Sequence, residues 1–429
     1  MKNLFDKKKI EYLLLLTTSI FFVTINLIYF YLNFDATFTY QNYAFNELFI
    51  NYQSGFIRRG FLGEIAWQLN ILFEIDPKFF FSFFFLIIYL IQFYLFYELF
   101  KRFVSFKLVF IFIFFSPPLL LFHIYSPELY FLKDGLIKLA ILFHAFIFFH
   151  FVNRKKDYDE YIKYLKFLII PLLFLIILTH EYQFFSISIH FLITIGILNK
   201  NYNLQKILKI YTPLIIPFFL VIFFFGDIQQ LENLSQILEK FNVELNPHLG
   251  GGFLKYLGAF YKWHFFYFSY RDFLNLFVSV ILSFAIIYLL FEYLIRGKIL
   301  SFQSKLQRNY LIYFIPCLLP FFLTTDHGRN LSLLSFYLIS FYATLSLKNL
   351  GLVNLNKRVQ ASLLNKLSLI IFLFFFIFMW KLNQFAGFGL QGKPNDIFQS
   401  SLFAEFIKLI KFLYNYIDLN IVNLPEIRL

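Results

Sequence analysis

Charge and sulfur are both scarce in this chain, and each shortage removes a class of protein. Only 15% of its 429 residues are charged while 60% are hydrophobic, which excludes a soluble globular or nucleic-acid-binding domain. The one cysteine, Cys317, lies inside an apolar stretch, and a single thiol can neither close a disulfide nor build a thiolate metal site within one chain. No nucleotide-binding motif and no soluble domain interrupts the apolar stretches, so neither a nucleotide-sugar donor nor an ATP-driven mechanism is expected, and no cofactor. What the chain has in excess is phenylalanine, 70 residues, which together with abundant Ile, Asn and Lys reads as the imprint of AT-rich coding rather than a functional signal.

The apolar stretches recur from end to end at the length a bilayer requires. Spans are predicted near residues 10–32, 79–100, 107–124, 136–152, 167–180, 182–198, 210–226, 273–295, 309–325, 331–347 and 367–384. The expected fold is therefore all-α, a polytopic membrane protein of about 11 transmembrane helices. With the N-terminus inside, 23 of the 38 Lys and Arg fall on cytoplasmic pieces and 13 on the collectively longer outer pieces, with Lys138 and Lys381 inside spans. That bias sets an N-in, C-out orientation. Residues 10–32 are too long for the apolar core of a signal peptide and no small-residue cleavage site follows, so they read as an uncleaved first span.

Residues 1–384 make the transmembrane domain, and residues 385–429 an extracytoplasmic segment with an amphipathic stretch around Phe403 to Ile417. Two outer segments are long, 33–78 and 227–272. In the first, Phe61, Leu62, Ile65, Ala66, Leu69, Leu72 and Phe73 recur at helical spacing, which predicts an amphipathic helix in the membrane interface. The second carries a polar helical stretch around Gln229 to Lys240, then Gly250-Gly251-Gly252, then an aromatic run from Phe260 to Tyr270.

The charged residues that remain gather at one end of the spans, the end that does not set topology: Arg58-Arg59, Lys133-Asp134, His180-Glu181, Arg271-Asp272 and Asp326-His327-Gly328-Arg329. Each has an ordinary structural role to weigh. Arg58-Arg59 suits an interfacial anchor, Asp134 a helix N-cap, and Asp326 and Arg329 can pair with each other. Against these stand the glycines Gly55, Gly60 and Gly63, which would let backbone approach a ligand, and the planar donor fork of Arg, which fits phosphate oxygens. His180-Glu181 joins two short spans with almost no loop, where little water offsets the burial of charge. A metal site from His180, Glu181, Asp326 and His327 lacks any spacing such as HExxH, and none is expected. His123, His144, His150 and His190 are scattered in depth and receive no role.

The series Gly55-Phe56-Ile57-Arg58-Arg59-Gly60-Phe61-Leu62-Gly63, Lys133-Asp134, His180-Glu181 and Asp326-His327-Gly328-Arg329 resembles bacterial O-antigen or capsule polymerases and, more distantly, multi-span lipid-linked glycosyltransferases of the GT-C class. The resemblance covers roughly residues 50–335. It departs in the last motif, where such proteins often carry an aromatic after the Asp and another after the Arg, and this chain has His327 and Asn330. It implies an inner-membrane enzyme taking a polyprenyl-diphosphate-linked saccharide from the lipid phase at the extracytoplasmic face. A GT-C enzyme would also place a carboxylate in the first outer loop, where Asp35, Glu47 and Glu64 are available. Arg58, Arg59 and Arg329 are expected to bind diphosphate, with Lys133, Arg271 and His327 also on the substrate; Glu181 is expected to lead as base, with His180, Asp134 and Asp326 as orienting or alternative catalytic groups. A transporter or flippase of the same lipid, or a subunit without activity, is the competing reading, though repeat symmetry and midplane charge expected of a transporter are lacking.

Overall fold

The computed structural model describes residues 7–32, 43–100, 116–123, 127–154, 158–198, 204–223, 226–243, 245, 274, 276–284, 314–323 and 326–349. These residues are all-helical, with no strand among them. Four helical stretches among them are long and apolar enough to cross a membrane, Pro77–Leu99, Asp134–Phe151, Asp159–Thr179 and Leu204–Phe223. The spans expected at 367–384, the C-terminal segment 385–429, the triple glycine, the aromatic run and Arg271 lie outside the described residues.

Helices α1 (Lys7–Leu32), α2 (Phe61–Phe73), α3 (Pro77–Phe100) and α4 (Asp134–Arg154) come first. α3 starts where a proline is harmless, at the first helical position, with the Asp76 carboxylate accepting the Lys78 N–H at 2.7 Å. α5 (Tyr158–Tyr164) and α6 (Ile170–Thr179) form one rod through a π turn at Leu165–Ile169. The widened turn lies directly ahead of Pro171, which has no N–H to donate and whose ring crowds the preceding turn. Then follow α7 (Tyr182–Leu198), α8 (Leu204–Tyr211), α9 (Ile215–Phe223) and α10 (Ile228–Leu238). α10 is opened by a reciprocal capping box between Asp227 and Gln230. α11 (Ile315–Leu323) and α12 (His327–Asn349) are the last of the described helices.

α4 is the hub, packed against α3, α7 and α12. Its residues are apolar all round and buried from Leu136 to Phe149 with few exceptions, as befits a helix surrounded by protein. α3 instead exposes Phe79, Phe83, Ile87, Ile91 and Tyr94, a stripe at helical spacing that would face lipid. α2 is a helix where the first outer segment was expected to carry one, but its exposed side is apolar too: Leu62, Ala66 and Trp67 are buried while Ile65, Ile71, Leu72 and Phe73 are exposed.

One span departs from expectation. Residues 116–123, the described part of the stretch 107–124, do not continue an α-helix: the backbone turns at Pro117 and Pro118 and then forms a 3-10 helix, Leu120–His123. Two successive prolines remove two donors and forbid a helical approach, which apolar composition does not reveal. The carbonyls so released are taken by neighbours. Ser332 donates to Pro118 O at 2.7 Å and the Lys138 ammonium to Leu119 O at 3.1 Å and to Ser332 Oγ at 2.7 Å. Lys138, set aside by sequence reasoning as an isolated charge within a span, thus stoppers an irregular segment that is tolerated only against protein.

Candidate functional site

The helices run so that one end of the bundle collects the C-termini of α1, α6 and α11 and the N-termini of α3, α4, α7 and α12. Every described charged cluster singled out in the sequence sits on the loops at that end, and the structure draws their side chains into one network with a front and a deep half.

The front half is built on residues 43–60, which precede α2. Gly63 at the start of α2 lies so close to this segment that a Cβ there would come within 1.9 Å of Ile50 O. Gly60 lies against the Tyr52 ring, and Gly55, at φ +111°, against Gln230 of α10. The three glycines permit close approach within the protein. The fold this permits presents Glu47 toward Arg59, itself held in the left-handed region at φ 66°, where a residue other than glycine is strained. Arg59 Nη1 donates to Glu47 Oε1 at 2.6 Å. Its Nε donates to Glu181 Oε2 at 2.8 Å, and its Nη2 also bonds Glu181. Arg58 Nη1 stands 3.7 Å from Glu181 Oε1. Lys133 donates to Glu47 O at 3.3 Å and Arg59 O at 3.4 Å, with its ammonium 3.7 Å from the Glu47 carboxylate.

The deep half centres on Arg329 in the first turn of α12. Its Nε bonds Asp134 Oδ2, its Nη2 donates to Asp134 Oδ1 at 2.9 Å and also to His180 Nε2, and its Nη1 reaches Asp326 Oδ2 at 3.2 Å. His180 Nε2 lies against Arg329 Nη2 and 3.1 Å from Asp134 Oδ1, and its Nδ1 stands 3.7 Å from Glu181 Oε2. Tyr182 lies between these groups, its ring stacked on His180 at 4.9 Å and under the Arg329 guanidinium at 4.9 Å. The sharp turn at His180, extended at φ −157° between α6 and α7, is what lets consecutive residues serve the two halves. His327 lays its ring on Phe321 of α11 instead, 6.3 Å between centroids.

Charge in the network balances among the described residues: Arg58, Arg59, Lys133 and Arg329 against Glu47, Asp134, Glu181 and Asp326. Such balance is what permits burial, since one unpaired ion there costs several kcal/mol. It also sets proton affinities. Burial alone would raise Glu47, but Arg59 and Lys133 together outweigh it and hold the carboxyl down at about 2. Burial likewise opposes ionisation of Glu181, and the Arg59 guanidinium overcomes it, keeping Glu181 well below the usual carboxylate range. Burial pushes Lys133 down to about 8 despite Glu47. Asp326 goes the other way: its burial exceeds the pull of Arg329 and its carboxyl is raised. It is also the most open acid, its side chain 18% exposed against 10% for Glu181, 9% for Glu47 and 1% for Asp134.

Sequence reasoning named most of this network. It left Glu47 as one of three unmarked carboxylates, because no local pattern signals a side chain whose partners lie 12 and 86 residues away. Tyr182 was missed outright; its position next to His180-Glu181 was the available clue. Among the described residues no group of three or more His, Cys, Asp and Glu is arranged to hold a metal ion. Compared with known proteins, the chain matches no family model, no curated protein and no solved structure.

Proposed function

We propose that this chain is a glycosyltransferase or polysaccharide polymerase of the bacterial inner membrane, with about 11 spans, N-in and C-out, acting at its extracytoplasmic face on a polyprenyl-diphosphate-linked saccharide. The observation that carries the reading is the convergence of Glu47, Arg58, Arg59, Lys133, Asp134, His180, Glu181, Asp326 and Arg329, from four separate loops, on one end of an apolar bundle. A donor whose lipid lies in the bilayer brings its diphosphate to that boundary. Arg58, Arg59 and Lys133 face it from the front half and stabilise the departing diphosphate as its bond to the anomeric carbon breaks.

The acceptor hydroxyl needs a base, and Glu181 is poorly suited, since two guanidiniums hold it ionised and occupy its oxygens. Asp326 fits better: among the described residues it has one side-chain bond, to Arg329, with the greatest exposure of the four acids and a raised proton affinity. Arg329 and His180 then position Asp326 and Asp134. Glu47 answers to the first-loop carboxylate that the GT-C resemblance implies.

The test is a purified protein in proteoliposomes supplied with radiolabelled polyprenyl-diphosphate oligosaccharide. Wild type should lengthen the glycan; Asp326→Asn should retain the donor and lower extension by ~100-fold or more, and Arg59→Ala by ~30–150-fold. Wild-type protein that moves the lipid across the bilayer and joins no sugars would make it a flippase.

A further inference from the structure

A second set of polar groups is buried one level below the ionic network, between α4, α5, α7 and α8. His144 of α4 and His190 of α7 stack with ring centroids 5.2 Å apart and their Nδ1 atoms 2.9 Å apart. His144 Nε2 is 2.7 Å from the Tyr161 hydroxyl of α5, which lies 3.2 Å from Thr194 Oγ1, which lies 2.8 Å from the Tyr211 hydroxyl of α8. In the other direction, His190 Nε2 is 3.4 Å from Gln183 Nε2, which donates to Ser186 Oγ at 2.5 Å. All seven side chains are buried.

The chain of contacts has direction. His144 lies ten residues along α4 from Asp134, about 15 Å deeper in the bundle. Tyr161 and Tyr211 lie beside Lys163, Lys166 and Lys209 in sequence, the level at which interfacial lysines mark the far boundary of a membrane. At its upper end Gln183 stands in the first turn of α7, its backbone N–H donating to His180 O at 3.1 Å. The groups facing the two rings are Tyr161, Thr194, Gln183 and each other. Among the described residues no carboxylate, Lys or Arg is hydrogen-bonded or ion-paired to either ring.

We propose that Tyr211, Thr194, Tyr161, His144 and His190 form a proton-uptake path, opening at the end of the bundle opposite the ionic network and ending in the histidine pair. Two ring nitrogens in contact require one N–H and one bare nitrogen, so the chain has two polarities. In the receptive one, Tyr161 donates to His144 Nε2 and His144 Nδ1–H donates to His190 Nδ1. A hydronium at the far end gives up its proton and becomes water; each hydroxyl releases its own proton as it receives one; His144 takes one on Nε2 and passes that on Nδ1 to His190. His190 ends as imidazolium and His144 neutral, with one proton gained. In this polarity His190 carries its Nε2–H from the start, so the Gln183 carboxamide is turned by half to present Oε1, which has no partner among the described residues, and the arriving proton strengthens that bond. Gln183 cannot carry a proton onward, so the path ends there, and the charge acts on the His180-Glu181 turn through the Gln183 backbone.

The test does not depend on the reaction catalysed. With 15N-imidazole labelling in lipid nanodiscs, the eight histidines are assigned with His144→Gln and His190→Gln, and the pH is stepped from about 8 to about 5, across the ordinary histidine range. The signals of His144 and His190 should move together, and in Tyr161→Phe combined with Thr194→Val their response should slow at least tenfold while the His180 signal is unchanged. Signals fixed across the range, or moving as fast in the double variant, would make the pair a packing contact. Should that variant fail to fold, sealed proteoliposomes of one orientation decide: acidifying only the side opposite the ionic network should protonate the pair, and protonation from the other side alone overturns the path.

Discussion

The two halves of the ionic network hold two carboxylates each, in different ways. In the deep half one guanidinium, Arg329, is surrounded by two carboxylates and an imidazole, with Asp134 sealed from solvent. In the front half, three cations share two carboxylates, and the central one rests on a strained backbone. A sealed pair fixes the relation of α4 to α12. A shared, partly open set of ions can exchange partners when a ligand arrives.

The sharpest way to break this contrast is Asp134→Ala, which strands Arg329 in the interior. Loss of one partner from a buried pair costs about 3–5 kcal/mol, so the detergent-solubilised protein should show a large fall in thermal midpoint. An Ala variant at Glu181, whose side chain is more open, should lose less. Equal losses would erase the distinction.

Acid separates the halves next. Glu47 titrates near 4.5 when unfolded and about 2 when folded, so the folded protein binds fewer protons between those values. The stability it contributes, about 3 kcal/mol, is complete above pH 4.5 and is lost as pH falls toward 2. Glu181 acts in the same direction. Asp326, raised in the fold, opposes them, its contribution present at low pH and lost as pH rises past its ordinary range. Thermal midpoints taken from pH 7 to 2.5 should therefore fall, and Glu47→Gln should flatten the fall. A wild-type profile already flat would leave Glu47 without the pairing described.

The smallest effect concerns backbone alone. At φ 66° glycine is unstrained and alanine is not, so Arg59→Gly should be about 1 kcal/mol more stable than Arg59→Ala although both remove the guanidinium. No difference between the two would mean that the front loop relaxes once the charge has gone.

The helices were legible because apolar runs of bilayer length leave little alternative, and α2 because its apolar residues recur at helical spacing. Residues 116–123 were not, since apolar composition hides the two prolines that bend them. Within the site, Lys133, Asp134, His180, Glu181 and Arg329 stood out as ions without an evident reason at a hydrocarbon boundary. Glu47 and Tyr182 gave no such signal, because what distinguishes them is partners supplied by distant loops. The glycines were visible, but the close approach of Gly63 to Ile50 was not. The histidines looked scattered because sequence records their depth along each helix and not that His144 and His190 face one another.

The even count of opposite charges has a last consequence. An anion reaching Arg59 finds it already occupied by Glu47 and Glu181, so the protein carries its own competitive inhibitor, tethered in place. Whatever binds there is held only by the margin by which it outcompetes those carboxylates, and the same carboxylates are waiting to expel it once its charge or shape has changed.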